Sequence, residues 1–148
     1  MADLKWIHDE NQAQRERLRI LVLSLSDKQL TRKLPNGWTV AVTLAHLAFW
    51  DERISALFRR LLKDGVPPTS IDADAVNGPL AILSEAIPPR ETIRLVLEAA
   101  EKVDRDVAEL PEAVVEQFLR EGMDCFIRRS LHRVGHLDKI EKALEVNG

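Results

Sequence analysis

An all-α fold, a four-helix bundle with one long crossover, is predicted by three features of this 148-residue chain. Four segments repeat apolar residues at helical spacing, capping and chain-breaking residues bound those segments, and no stretch alternates apolar with polar residues as a half-buried strand does.

The first segment, residues 3–25, places Leu4, Ile7, Leu18, Leu21 and Leu25 on one stripe that Asn11 and Gln14 interrupt. Buried amides need partners, so these two either line a polar pocket beside a site or mark a solvent-facing end. Ser26-Asp27-Lys28-Gln29 has capping-box spacing, in which the Ser hydroxyl and the Gln side chain satisfy each other's free backbone N–H groups, and predicts a short helical turn. Pro35-Asn36-Gly37-Trp38 is turn chemistry, and Thr39 can cap a second long helix reaching Lys63. Its inner stripe holds Val42, Trp50, Ile54, Leu57 and Leu61, with His46 at the edge.

The connection after Gly65 contains Pro67, Pro68, Pro79, Pro88 and Pro89, with room for one helical segment over residues 72–86, and can carry the chain across the bundle. A third long helix, residues 90–109, turns Ile93, Val96, Leu97, Ala100, Val103 and Val107 inward. Pro111 stops it and suits the first turn of a short helix, PEAVVEQFLR; Gly122 breaks the chain again, and a last helix is predicted over residues 124–146. The long connection between the second and third helices favours an up-down-down-up order. With no repeat, low-complexity tract or composition shift, the expectation is one domain over residues 1–148.

Composition narrows the function. Hydrophobic residues make up 45% and charged residues 30%, and the net charge of -3 lacks the basic field that nucleic-acid binders use. No apolar run approaches the ~20 residues needed to span a bilayer. The single Cys125 cannot form an internal disulfide, and the start MADLKWIHDE lacks an export pattern, so a cytoplasmic protein is expected, with neither nucleic acid nor membrane as partner.

Three of the four histidines define the chemistry. His132 and His136 are four residues apart, so on a helix their side chains share one face and can bind one ion at ~2.0–2.1 Å per nitrogen. His46 points inward beside Val42 and Trp50, where an unpaired imidazole would lose its water hydrogen bonds. Each alone is more simply a core-edge histidine bonded to a carbonyl or carboxylate. Three inward histidines in a chain of four favour ligation, and three neutral imidazoles leave a position open for water or substrate, as in catalytic sites.

The run GWTVAVTLAHLAFWDERI at residues 37–54 and the closing RRSLHRVGHLDKIEKAL at residues 128–144 resemble the DinB-like superfamily of bacterial four-helix bundles, a similarity that spans nearly the whole chain. In that family one His on the second helix and a His-x-x-x-His pair on the last bind a divalent metal, and the matching positions here are His46, His132 and His136. The resemblance implies the up-down-down-up bundle, frequent dimers and a water-filled fourth coordination position. It also implies two kinds of activity, thiol-dependent transferases and isomerases on one side and metal-dependent hydrolases on the other.

Other residues carry competing readings. Arg53 and Arg129 lie near the histidine faces and are candidates to hold a substrate carboxylate or phosphate; the alternative pairs them with acids such as Glu10, Asp51 or Glu52. Cys125, seven residues before His132, can approach the same side of the helix, but an inert buried thiol is the favoured reading because free Cys behaves as a small hydrophobe. Trp38 and Trp50 read as core anchors, and the charges of LDKIEKALE as a solvated, helix-pairing face. Ile127, Leu131 and Val134 form an apolar stripe opposite the histidines, for which a homodimer is the expected partner.

Two function classes follow. The first is a metal-dependent enzyme, a hydrolase or thiol transferase acting on a small molecule, with zinc or nickel as the expected divalent ion and a low-molecular-weight thiol as a candidate co-substrate. The second is a non-catalytic bundle that binds a small ligand, a metal or a partner.

Overall fold

The structure, a computed structural model, describes residues 3–146; the extreme ends of the expected 1–148 domain lie outside the described residues. Its elements are α1 (Lys5–Leu23), α2 (Asp27–Leu30), α3 (Val40–Asp64), α4 (Ala73–Ser84), α5 (Pro89–Glu109), α6 (Glu112–Arg120), α7 (Asp124–Ile127) and α8 (Arg129–Val146). Among the described residues there is no strand beyond one isolated bridge between Lys33 and Thr39. Nor, among the described residues, is any helix long and apolar enough to cross a membrane.

Local chemistry sets these boundaries. Ser26 and Gln29 form the expected capping box at α2, and the Thr39 hydroxyl accepts from the Val42 N–H at 3.0 Å to start α3. Between them the chain reverses through Gly37, whose φ of 89° a residue with a Cβ rarely adopts. Gly65 ends α3 in the left-handed conformation, donating its N–H to the Leu61 carbonyl. Pro111 sits at the N-cap of α6, one position before its first turn.

The long helices α1, α3, α5 and α8 pack in a ring: α1 against α5 and α8, and α3 against the same two. Helix α4 lies on the outside of α3. Ion pairs record the register. Glu10 meets Arg128 while Arg17 meets Asp138 and Glu141; Glu52 meets Lys102 while Arg59 meets Asp106; Arg15 meets Asp104 while Asp27 meets Arg90.

The apolar core divides in two. One cluster gathers Leu18, Val22, Leu44, Leu47, Val96, Ala100, Leu137 and Ile140, and the other Ile7, Ile54, Phe58, Val103, Val107, Phe118 and Ile127. Between them lies a polar layer of buried Asn11, Asp51, Asp104 and Arg133. The first half of α3 is buried on every side from Val40 to Ala48. Further along, Phe58 fills the core while Leu57 and Leu61 are only half-buried, because the inner face of α3 drifts round the helix as it passes from α4 to the second cluster.

The last helix differs from expectation. Residues 124–146 do not form one element: the chain breaks at Arg128 (φ -94°, ψ 70°), leaving a single turn, α7, before α8. The break cancels the angular argument that put Ile127, Leu131 and Val134 on one outer stripe. Ile127 is fully buried, Val134 is half-buried, and only Leu131 is 44% exposed.

Candidate metal centre

The three sequence-predicted histidines come together. The buried start of α3 delivers His46, 5% exposed, and the first turns of α8 deliver His132 and His136, both half-buried. One ligand-capable atom from each lies within 4.8 Å of the others. His46 Nε2 and His132 Nε2 are 3.1 Å apart, and the rings of His46 and His136 have centroids 4.7 Å apart.

Nitrogens bound to one tetrahedral ion at ~2.1 Å would sit roughly 3.4 Å from one another, so the His46–His132 pair already has ligand spacing. His46 Nδ1 is buried with no hydrogen-bond partner. A buried imidazole whose other nitrogen faces only a second imidazole is poorly satisfied by protein alone, and a shared cation uses both facing lone pairs. The donor set therefore fits a divalent transition-metal ion.

Electrostatics favours the neutral, ligating form of all three rings. Burial pushes the His46 pKa down to about 4, helped by the nearby His136. Burial pushes His132 to about 2, with Arg129, His136, His46 and Arg133 adding repulsion. His136 is lowered by burial and by Lys139. In metal-free protein the unfolded chain takes up protons near pH 6.5, whereas folded His46 resists until about 4. The unfolded state thus binds more protons, and stability falls as pH drops through that window. Urea unfolding of chelator-treated protein is expected to lose about 1–3 kcal/mol between pH 7 and pH 4.5, with a shallower slope in His46→Asn.

The histidines open onto a cavity of about 530 Å³ walled by Trp38, Trp50, Asn77, Cys125, Arg129 and Leu131. Among its lining residues there is no carboxylate. Trp38 and Trp50 are not core anchors: both are half-buried, with ring centroids 5.0 and 6.4 Å from that of His46, because the turn before α3 and the α3–α4 face hold them at the site. Trp50 Nε1 donates to Asn77 Oδ1 at 2.8 Å, which ties α4 to the wall. Cys125 likewise departs from the buried reading; it is exposed and lines this cavity.

The two arginines differ. Arg129, 5% exposed, donates through Nε to Asp51 Oδ1 at 2.9 Å and through Nη1 to the Cys125 carbonyl at 2.6 Å, and its Nη2 lies 3.5 Å from His132 Nδ1. Arg53 rests over the Trp50 ring, 5.5 Å from its centroid, and donates to the Thr69 carbonyl at 3.0 Å. Asn11 and Gln14 lie away from the histidines. Asn11 spans the α7–α8 junction, and Gln14 accepts from Arg17.

Arg133 and Asp104 were missed by sequence reasoning. Arg133, 1% exposed, makes two 2.8 Å bonds to the Asp104 carboxylate, a 3.3 Å bond to Asp51 and a 3.1 Å bond to the Asn11 carbonyl. Burial pulls its pKa down, yet the two carboxylates hold it above the ordinary value. The available signal was Asp104 itself, a charge four residues after Ala100 on the apolar stripe of α5.

No curated protein and no solved structure matches the chain. A sequence model of the DinB superfamily matches residues 10–137, a span that contains all three histidines, the cavity walls and the polar layer, and the chain belongs to that superfamily.

Proposed function

We propose that this protein is a metal-dependent enzyme in which His46, His132 and His136 hold one divalent ion, zinc or nickel, with a coordination position open to the cavity. The observation that carries this reading is the convergence of three imidazoles at the wall of an open cavity of about 530 Å³. A divalent ion there supplies Lewis acidity, which lowers the pKa of a thiol or water and polarises a substrate oxygen.

Of the two activities, thiol-dependent transfer is favoured over hydrolysis. Hydrolysis calls for a general base in reach of the attacking water, and no carboxylate is among the lining residues of the cavity; Asp51, on α3 beyond His46, is engaged by Arg129 and Arg133. A thiol needs less help, because its thiolate is itself a strong nucleophile. Arg129, whose Nη2 has no carboxylate partner, and Arg53 beside Trp50 are the proposed contacts for an anionic or carbonyl oxygen of the small-molecule substrate, with the Trp faces packing its body.

The same reading takes the chain as one up-down-down-up four-helix bundle, a cytoplasmic protein and a homodimer. The order is supported by the ion-pair registers: residue numbers rise together between α1 and the stretch from Arg128 into α8 and between α3 and α5, and run oppositely between the α1–α2 stretch and α5. The homodimer retains only exposed Leu131 from its predicted stripe.

Elemental analysis of protein purified without a histidine tag tests the centre. About one divalent ion per chain is expected in the wild type, and less than a tenth of that in His46→Ala/His132→Ala. Equal metal content in the two proteins would defeat the assignment. Thiol conjugation of a generic electrophile that stops on chelation and returns with metal separates the enzyme from a non-catalytic binder.

A further inference from the structure

A second cavity, of about 590 Å³, adjoins the first, sharing His136 and Asn36 with it. Its walls come from the α2–α3 connection, Thr43 of α3 and residues 136–143 of α8. Three of its lining residues, Lys33, Lys139 and Lys142, are cationic and none is acidic, in a chain whose net charge is -3. Among the described residues, none of these lysines has a carboxylate within ion-pair distance; the acids of the same stretch of α8, Asp138 and Glu141, are turned to Arg17 instead. The charge segregation follows from helical geometry, since residues 138 and 141 share one face of α8 and residues 139 and 142 the next. Leu34 and Pro35 supply an apolar wall.

We propose that this cavity binds the acid group of a small amphipathic organic anion, a carboxylate or phosphate ester, whose opposite end reaches His136 and the adjoining cavity. The volume suits a small molecule, and unpaired ammonium groups beside an apolar wall recognise an anion carried on an apolar body. The site separates two tasks: the lysines select an acidic substrate, and the histidine cavity receives its reactive end. Only that second statement rests on the metal-enzyme reading; anion capture by the lysines does not.

Calorimetric titration with 4-phenylbutyrate, 4-phenylbutyl phosphate and 4-phenylbutylamine tests it, since the three share one body and differ in headgroup. Both acids are expected to bind at least tenfold more tightly than the amine, and the tighter of the two identifies the headgroup as carboxylate or phosphate. Lys139→Glu/Lys142→Glu is expected to weaken the acids at least tenfold, and Lys139→Gln/Lys142→Gln by a smaller factor, with helicity and metal content unchanged. Acid binding should survive chelation of the metal. Acids that bind no better than the amine, or equally well to both double variants and the wild type, would overturn the proposal. Equal metal content in wild type and His46→Ala/His132→Ala with lysine-dependent acid binding intact would overturn the metal reading alone.

Discussion

Arg133→Met is expected to lower the unfolding free energy by about 3–5 kcal/mol, the range for removing one partner of a buried ion pair. In a chain of this size that corresponds to a fall in melting temperature of roughly 10–20 °C. The cost arises from what remains. Asp104 keeps only Arg15, which is itself a third exposed, and Asp51 keeps only Arg129. The carbonyls of Asn11 and Ala100 also lose a buried donor. Arg133 leaves α8 and bonds to α1 at Asn11, α3 at Asp51 and α5 at Asp104, so one guanidinium fixes the relation of all four long helices. Lysine cannot replace it, because a single ammonium has no planar fork with which to engage both Asp104 oxygens.

A double-mutant cycle separates this account from simple loss of packing. Asp104→Leu alone leaves Arg133 with Asp51 as its one carboxylate and takes Arg15's partner away, whereas Asp104→Leu combined with Arg133→Met removes both buried charges of the closest pair. The combined loss is expected to fall short of the sum of the two single losses by more than 1 kcal/mol. Strict additivity, read from urea denaturation, would mean that the two side chains act independently despite their 2.8 Å contacts. His132 precedes Arg133 directly, so the polar layer also bears on how far the α8 histidines sit from His46.

The features legible in the sequence are those governed by local chemistry. The capping box at Ser26, the Thr39 cap, the turn at Gly37 and the apolar stripe of α5 depend on residues within a few positions, and each occurs where its residue types require. The histidine trio was legible because four-residue spacing fixes a shared face and because three inward imidazoles, at positions matching the DinB-like pattern, favour a common use over three separate core-edge bonds. Long-range pairing was not. Nothing near Arg133 in the sequence indicates that its carboxylates lie 82 and 29 positions away. The break at Arg128 was hidden for the same reason, since its stabilising partner is Asn11 on α1.

Asn11→Ala should therefore be the second costly substitution, at about 2–5 kcal/mol, and its damage should be local. The Asn11 Nδ2 donates to the Ile127 carbonyl at 2.9 Å, and its Oδ1 accepts from the Ser130 N–H at 2.9 Å. One amide thus satisfies the last carbonyl of α7 and a first-turn N–H of α8, groups that a helix break leaves without intrahelical partners. Alanine strands both in a buried setting, at about 1–3 kcal/mol each. Asn11→Asp keeps the acceptor but places a carboxylate against the Ile127 carbonyl, so it should recover little of the loss. Faster amide exchange is expected at Ser130 and Leu131, with residues 137–144 close to wild type, because the fraying starts at the junction and fades along α8. His132 lies two residues beyond Ser130 and His136 a full turn further, so metal affinity should fall through the His132 ligand. Unchanged exchange at Ser130, with a stability loss below about 0.5 kcal/mol, would show that water replaces the amide at the junction and that Asn11 does not hold α8 in place.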